Sequence, residues 1–345
     1  MTQMNHSTVL TINEPSGVGA ARRNARARAE QIGFKAPRAS DVEIVVTEAA
    51  NNLANHAHGG TILLRTLELG DRHGLEILSI DRGRGMVDVR KCLADGFSSA
   101  GSSGTGLGAI ARLADYFDIY SQPGRGTILL AQLWEKRRRS PARGLETGAV
   151  CVAMNEVEPS GDDWALTQNS RHVRILTVDG LGHGLFAARA AEAAVKAFQQ
   201  VGEQSLTETI HAMHGPLRAT RGASLAVAQL DLRQGLLSYS GVGNIRGLIW
   251  TEQGCRNLVS HNGTVGHELH RVQEFSYPWS ATSILVMHSD GLLSKWVLGD
   301  YPDLQHHHPA IIAGVLFRDH LRGRDDATVV VARQSRPALL KTHRD

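Results

Sequence analysis

Glu48 and Asn52 stand four residues apart, which is one turn on a helix. A carboxylate in that position can orient a water or take a hydroxyl proton, while the amide oxygen beside it holds a hard cation. Downstream, Asp81-Arg-Gly-Arg-Gly-Met86 joins an acid to two glycines. Gly83 and Gly85 let the backbone pass close to a planar ligand, and Asp81 can accept a hydrogen bond from an exocyclic amine. Gly101-Ser-Ser-Gly-Thr-Gly-Leu-Gly108 offers a row of backbone N–H groups suited to cradling phosphates. The second half carries acids at three turns: D-G-L-G-H-G from Asp179, S-D-G around Asp290, and G-R-D-D-A-T containing Asp325 and Asp326. Ligands that are all oxygen suit magnesium or manganese. Two such ions can activate a water for attack at phosphorus and stabilise charge on the departing oxygen. A polar helix face is ordinarily just solvated and an Asp-Gly pair just a turn, so the weight lies on the combination.

The element that must position the first group is a helix read over Asp41–His56. Val42, Val45, Val46, Ala49, Ala50 and Leu53 form its apolar stripe, with Glu48, Asn52 and Asn55 on the other side. Ser40 and Glu43 fit a capping box, and Pro37 marks the approach to the helix start. Before it come a strand from Thr8 to Asn13 and a helix from Gly17 to Ile32, whose arginines read as a solvated face. After it, strands are expected at Thr61–Leu69, Gly74–Ile80, Phe117–Ser121 and Ile128–Trp134, with Gly124-Arg-Gly-Thr127 as a turn.

The order E-x-x-x-N, D-x-G-x-G, G-T-G-L-G and G-x-G-T resembles the GHKL ATPase superfamily and its Bergerat nucleotide fold. Over residues 8–134 the chain looks most like anti-sigma-factor serine/threonine kinases of the RsbT-like, stressosome type, through E-A-A-N-N-L-A-N-H and G-S-S-G-T-G-L-G. The resemblance implies Glu48 as catalytic base, Asn52 as magnesium ligand and Asp81 as adenine partner. Gly83 and Gly85 would shape the adenine pocket, Gly104, Gly106 and Gly108 would cover the phosphates, and Thr127 would lie near the base. Only one strand and one helix precede the organising helix, too little for the helical bundle of a sensor histidine kinase.

Lys136-Arg-Arg-Arg-Ser-Pro-Ala-Arg-Gly144 breaks the apolar rhythm and marks a linker. Beyond it, strands are expected at Val150–Glu156, His172–Val178, Ser224–Leu232, Leu236–Ser240, Gly247–Thr251, Ser283–His288 and Thr328–Ala332. Helices are expected at Leu185–Gln200 and Leu206–Arg218. Gly161-Asp-Asp163 reads as a turn and His306-His-His308 as a loop. The acidic motifs resemble metal-dependent type-2C phosphatases of the SpoIIE family, most closely the RsbX-like ones. That implies Asp162, Asp179, Asp290, Asp325 and the Gly180 carbonyl as ligands to two manganese or magnesium ions. Asp163 and Asp326 stand as alternatives to their neighbours.

The expected layout is therefore two α/β (α+β) domains. A Bergerat-type α/β sandwich spans 1–135, a basic linker 136–147, a PP2C-like α-β-β-α sandwich 148–334 and a tail 335–345. The 345 residues suffice for two cores, and a formal charge of +3 gives no case for nucleic acid or membrane partners. Three scattered cysteines and no signal peptide or spanning segment fit a reduced, cytoplasmic setting. The function implied is a bifunctional switch that uses ATP to phosphorylate Ser/Thr on a STAS-domain partner and hydrolyses phosphoserine or phosphothreonine. A sigma factor is a further candidate partner. The alternative is a nucleotide- or sigma-binding module that controls the phosphatase without kinase turnover.

Overall fold

The computed structural model describes residues 6–93, 106–136, 144–155 and 158–335. The chain divides into two compact units. Ser7–Ser140 together with His306–Arg318 make the first, and the rest of the described chain makes the second.

The first unit runs β1 (Thr8–Ile12), α1 (Ser16–Gln31), α2 (Ala36–His56), β2 (Gly60–Leu69), β3 (Arg72–Ile80), α3 (Val89–Leu93), α4 (Gly106–Leu113), β4 (Tyr116–Gln122) and β5 (Gly126–Trp134). Its five strands form an antiparallel sheet in the order β1-β2-β3-β5-β4. Strand residues alternate between faces. Ile62, Leu64, Leu75, Ile77 and Leu129 share a core with Ala21, Ala25 and Ala29 of α1 and with the expected stripe of α2. Burying each Val or Leu of that stripe stabilises by about 1.5–3 kcal/mol. Leu63, Leu78, Ile128 and Leu130 alternate with these and are buried on the opposite face.

The organising helix begins earlier than its periodicity indicates, at Ala36, with Pro37 in the first turn. Ser40 is consequently inside the helix, where its hydroxyl donates to the Ala36 carbonyl at 3.1 Å. Glu43 instead accepts from Arg26 at 2.8 Å. The expected capping box therefore does not form.

The second unit holds β6 (Leu145–Val152), β7 (Asp162–Gln168), β8 (His172–Gly180), α5 (Leu185–Gln200), α6 (Leu206–Leu217), β9 (Ala223–Asp231), β10 (Leu236–Val242), β11 (Arg246–Thr251), β12 (Gly254–Asn257), β13 (Ser260–His261), β14 (Phe275–Pro278) and β15 (Ile284–His288). Then come α7 (Pro309–His320), whose residues through Arg318 belong to the first unit, and β16 (Ala327–Gln334). One sheet has the order β13-β10-β9-β8-β7, with β14 also paired to β10; the other has β12-β11-β15-β16-β6. The sheets share a core that includes Trp164, Ile175, Tyr239, Met287 and Val330. A second core joins α5 and α6 to the first sheet through Ala194, Phe198, Ile210, Leu176 and Leu225.

Two sequence expectations change here. Gly161–Asp163 is not only a turn, because Asp162 and Asp163 open strand β7, paired to β8 with Asp162 opposite Asp179. The His306–His308 loop leads directly into α7, a helix absent from the sequence reading. No helix among the described residues is long and apolar enough to cross a membrane.

Candidate active sites

In the first unit, α2 presents Asn52 to a cavity of about 610 Å³, and α4 closes over the same turn of α2. A Cβ added to Gly106 would lie 2.7 Å from Glu48 Oε2 and 3.8 Å from Asn52 Oδ1. With glycine here the start of α4 approaches this carboxylate and amide with no side chain between them; a larger residue would push the Glu48 carboxylate aside. Gly108 is buried within the first turns of α4. Gly104 lies outside the described residues.

Asp81 follows β3 directly and lines the cavity with Gly85, Met86, Leu107, Thr127 and Leu129. Its Oδ1 accepts from the backbone N–H of Gly83 at 2.7 Å and of Thr127 at 3.1 Å. Two amides thus fix the carboxylate through one oxygen and leave the geometry of the other for a ligand. Burial pushes the Asp81 carboxyl above its ordinary range, while those amides and the charge of Arg318 pull it back. Gly85 has φ of +65°, and a Cβ there would sit 1.9 Å from the Gln122 carbonyl oxygen. Sequence reasoning missed Ser121. Its hydroxyl accepts from the Met86 N–H at 2.8 Å and lies 2.9 Å from Thr127 Oγ1, tying the loop after β3 to β4 and β5. No motif of the sequence contains it.

In the second unit, Asp179, Asp290 and Asp325 line one cavity of about 630 Å³, with Asn244 and His183. Asp179 is at the end of β8, Asp290 just past β15, and Asp325 just before β16. Burial, then the neighbouring charges of Asp290 and Asp325, push the Asp179 carboxyl up to about 7. Asp162 is raised well above the ordinary range by burial and by Asp179. Its Oδ2 accepts from the Ser289 hydroxyl at 2.5 Å, and Ser289 Oγ accepts in turn from the Thr328 N–H at 3.0 Å. Asn244 donates to Asp290 Oδ2 at 2.9 Å. It sits in the turn between β10 and β11, where Gly-Asn reads simply as a turn former. Carboxylates crowded until they resist ionising form a donor set that fits hard divalent cations, whose charge relieves the repulsion.

The two adjacent-acid ambiguities have a geometric counterpart. Asp163 turns to the other side of β7, where Oδ1 lies 3.6 Å from His6 Nε2. Asp326 Oδ1 accepts from the Met154 N–H at 2.7 Å, and Oδ2 accepts from the Gly161 N–H at 2.5 Å. Both oxygens of Asp326 are therefore engaged by backbone, whereas Asp325 lines the cavity. Gly180 donates its N–H to the Gly161 carbonyl at 2.9 Å. A Cβ on Gly180 would fall 2.2 Å from the Ala187 carbonyl oxygen, so α5 packs directly on this backbone. His183 is exposed, with Nδ1 3.3 Å from Glu158 Oε2.

Comparison with known proteins finds two families, one in each half of the sequence. Residues 12–133 match the histidine kinase-like ATPase domain family, and residues 169–335 match the stage II sporulation protein E (SpoIIE) family. The chain is 33% identical over 131 residues to serine/threonine-protein kinase RsbT of Bacillus subtilis, covering 38% of this chain and 98% of the relative. It is 30% identical over 97 residues to anti-sigma F factor of Pasteuria penetrans, covering 26% of this chain and 64% of that one. Among solved structures, a chain from work on the bacterial stressosome, described as a modular system adapted to control secondary messenger signaling, is 28% identical. It aligns with a TM-score of 0.52 over 55% of this chain and 99% of its own length.

Proposed function

Since the chain belongs to the RsbT family through its first part and carries a SpoIIE-type PP2C phosphatase domain after it, we propose that it is a bifunctional partner switch. In this reading the first unit transfers the γ-phosphate of ATP to a serine or threonine of a STAS-domain protein, and the second unit removes it. The observation that carries the kinase half is the approach of Gly106 to Glu48 and Asn52, with Asp81 on the wall of the cavity that Gly106 and Asn52 also line.

Asp81 accepts the adenine amine on the oxygen that its two amides leave over, and Gly83 and Gly85 keep the pocket wall thin. The N–H groups of Gly106 and Gly108, with Gly104 before them, face the phosphates at the start of α4. Glu48 takes the proton of the attacking hydroxyl, and its contact with the first turn of α4 aligns base and phosphate chain. Thr127, tied to Ser121 and Asp81, steadies the base-binding end. Asn52 would hold magnesium in the first site, and Asp162, Asp179, the Gly180 carbonyl, Asp290 and Asp325 would hold two manganese or magnesium ions in the second, where such ions neutralise phosphate charge and acidify water. Asp162 is preferred to Asp163 because Asp163 faces the other side of β7 towards His6, and Asp325 to Asp326 because Asp325 lines the cavity while each Asp326 oxygen holds a backbone amide. Of the stretch 136–147 expected as a linker, 137–143 lie outside the described residues and 145–147 already belong to β6, paired with β16, so the link between the domains is read as ending before Leu145. The partner in this reading is a STAS-domain protein of the anti-anti-sigma or stressosome kind, a choice that the kinase, anti-sigma and stressosome relatives support, and a sigma factor is the further candidate.

Incubation of the full chain with γ-labelled ATP, magnesium and a STAS-domain protein tests the kinase half. Label on the STAS protein that falls by at least about a hundredfold in Glu48→Ala, the lower range for removing a general base, is the expected result. ATP binding without transfer would instead identify the first unit as a nucleotide-sensing module.

A further inference from the structure

The three histidines before α7 and the helix itself take no part in the chemistry derived above, yet they are built into the nucleotide-binding unit. His307 Nδ1 lies 2.8 Å from Asp118 Oδ1, and the His308 N–H donates to Asp118 Oδ2 at 2.7 Å. Their rings lie against Tyr120 and Tyr116, with centroids 5.1 and 4.9 Å apart. The segment is thereby latched to β4. From there α7 runs over the sheet face opposite α2. A Cβ added to Gly314 would be 3.1 Å from Leu78 of β3 and 3.0 Å from Ile128 of β5. One turn later Arg318, only 4% exposed, brings Nη1 to 3.4 Å from the Asp81 carbonyl oxygen.

This is the backbone of the residue assigned to adenine. Its carbonyl is reachable because Gly126 has no side chain: a Cβ there would sit 2.2 Å from that oxygen. The Asp81 N–H already donates to the Thr127 carbonyl at 2.9 Å. Asp81 is therefore held on one side by β5 and approached on the other by a buried cation.

We infer that Arg318, which lies beyond most of the phosphatase sequence, is a positioning residue of the nucleotide site, fixing the strand end at Asp81 from behind. In this reading it touches neither the base nor the phosphates and acts on the nucleotide through Asp81. The inference rests on the reading that ATP binds with its adenine at Asp81. Burial raises the Asp81 carboxyl, and after the Gly83 and Thr127 amides the charge of Arg318 pulls it back. In sequence, Arg318 is seven residues from Asp325, so a single stretch of chain carries both a determinant of nucleotide affinity and a metal-site acid.

Titration calorimetry of the full chain with ATP and magnesium tests this. Arg318→Gln is expected to weaken ATP binding about tenfold, the scale of one charge-assisted contact, and Arg318→Lys severalfold. In an Asp81→Ala background the Arg318 effect should largely vanish, because the side chain that Arg318 positions is gone. A merely structural arginine would weaken binding equally in both backgrounds, and that result overturns the inference. So does wild-type affinity in Arg318→Gln. Should the glutamine variant not fold, the lysine variant takes its place in the same cycle, with unchanged affinity as the overturning result. If the wild-type chain itself binds no ATP, the nucleotide reading falls and this inference with it, whereas normal wild-type binding with an indifferent Arg318 removes this inference alone.

Discussion

At the scale of single residues, acids divide into those the fold satisfies and those it leaves crowded. Asp118 is the first kind. Burial alone would raise its carboxyl, but the hydrogen bond and charge of His307 and the His308 amide outweigh burial and hold it below the usual range. A depressed carboxyl contributes stability that is present above its ordinary value of 3.8 and lost as pH falls through the lower folded value. Asp118→Asn is therefore expected to destabilise the chain by roughly 1–3 kcal/mol near neutral pH, with the difference closing as pH drops below that range. Denaturant midpoints of both proteins across pH check this, and a gap that widens towards acid would contradict it. Asp162 and Asp179 are the second kind, raised by burial and by neighbouring acids, a crowding that either a proton or a divalent cation relieves. That Asp179 and Asp290 share a cavity was legible because Asp-Gly at a strand end is visible in a one-dimensional pattern. Ser121, Asn244 and Arg318 were not, since each acts through a contact made only after distant strands or helices pack.

At the scale of elements, helices with one apolar stripe were legible and the helix without one was not. The stripe of α2 is fully buried where its spacing indicates, although its first turn was missed because Ser40 and Glu43 imitate a cap. Residues 309–316 of α7 are buried all round, so its apolar residues show no 3.6-residue period. Strand β7 escaped because its first two residues are the acids of a motif that reads as a turn. Packing of α7 on the sheet can be tested at Gly314. Replacing it with leucine drives a branched side chain into Leu78 and Ile128, and is expected to lower stability by about 1–3 kcal/mol, read as a reduced unfolding midpoint. An unchanged midpoint would mean that α7 does not dock there.

At the scale of the whole molecule, the chain joins an RsbT-family part to a part that matches the SpoIIE family, and each unit has its own cavity, one lined by Asn52, Asp81 and Gly106 and the other by Asp179, Asp290 and Asp325. Under the proposed function, opposed activities on one polypeptide would make net phosphorylation depend on which half is favoured, and the two would share each encounter with a common substrate. The most direct measurement follows label on a STAS-domain protein mixed with the chain, limiting γ-labelled ATP, magnesium and manganese. With the wild-type chain, label is expected to rise and then decay as ATP is spent. With Asp179→Ala it should rise and persist, and with Glu48→Ala it should not appear. Label that decays equally fast in Asp179→Ala, or that appears undiminished in Glu48→Ala, would contradict the account.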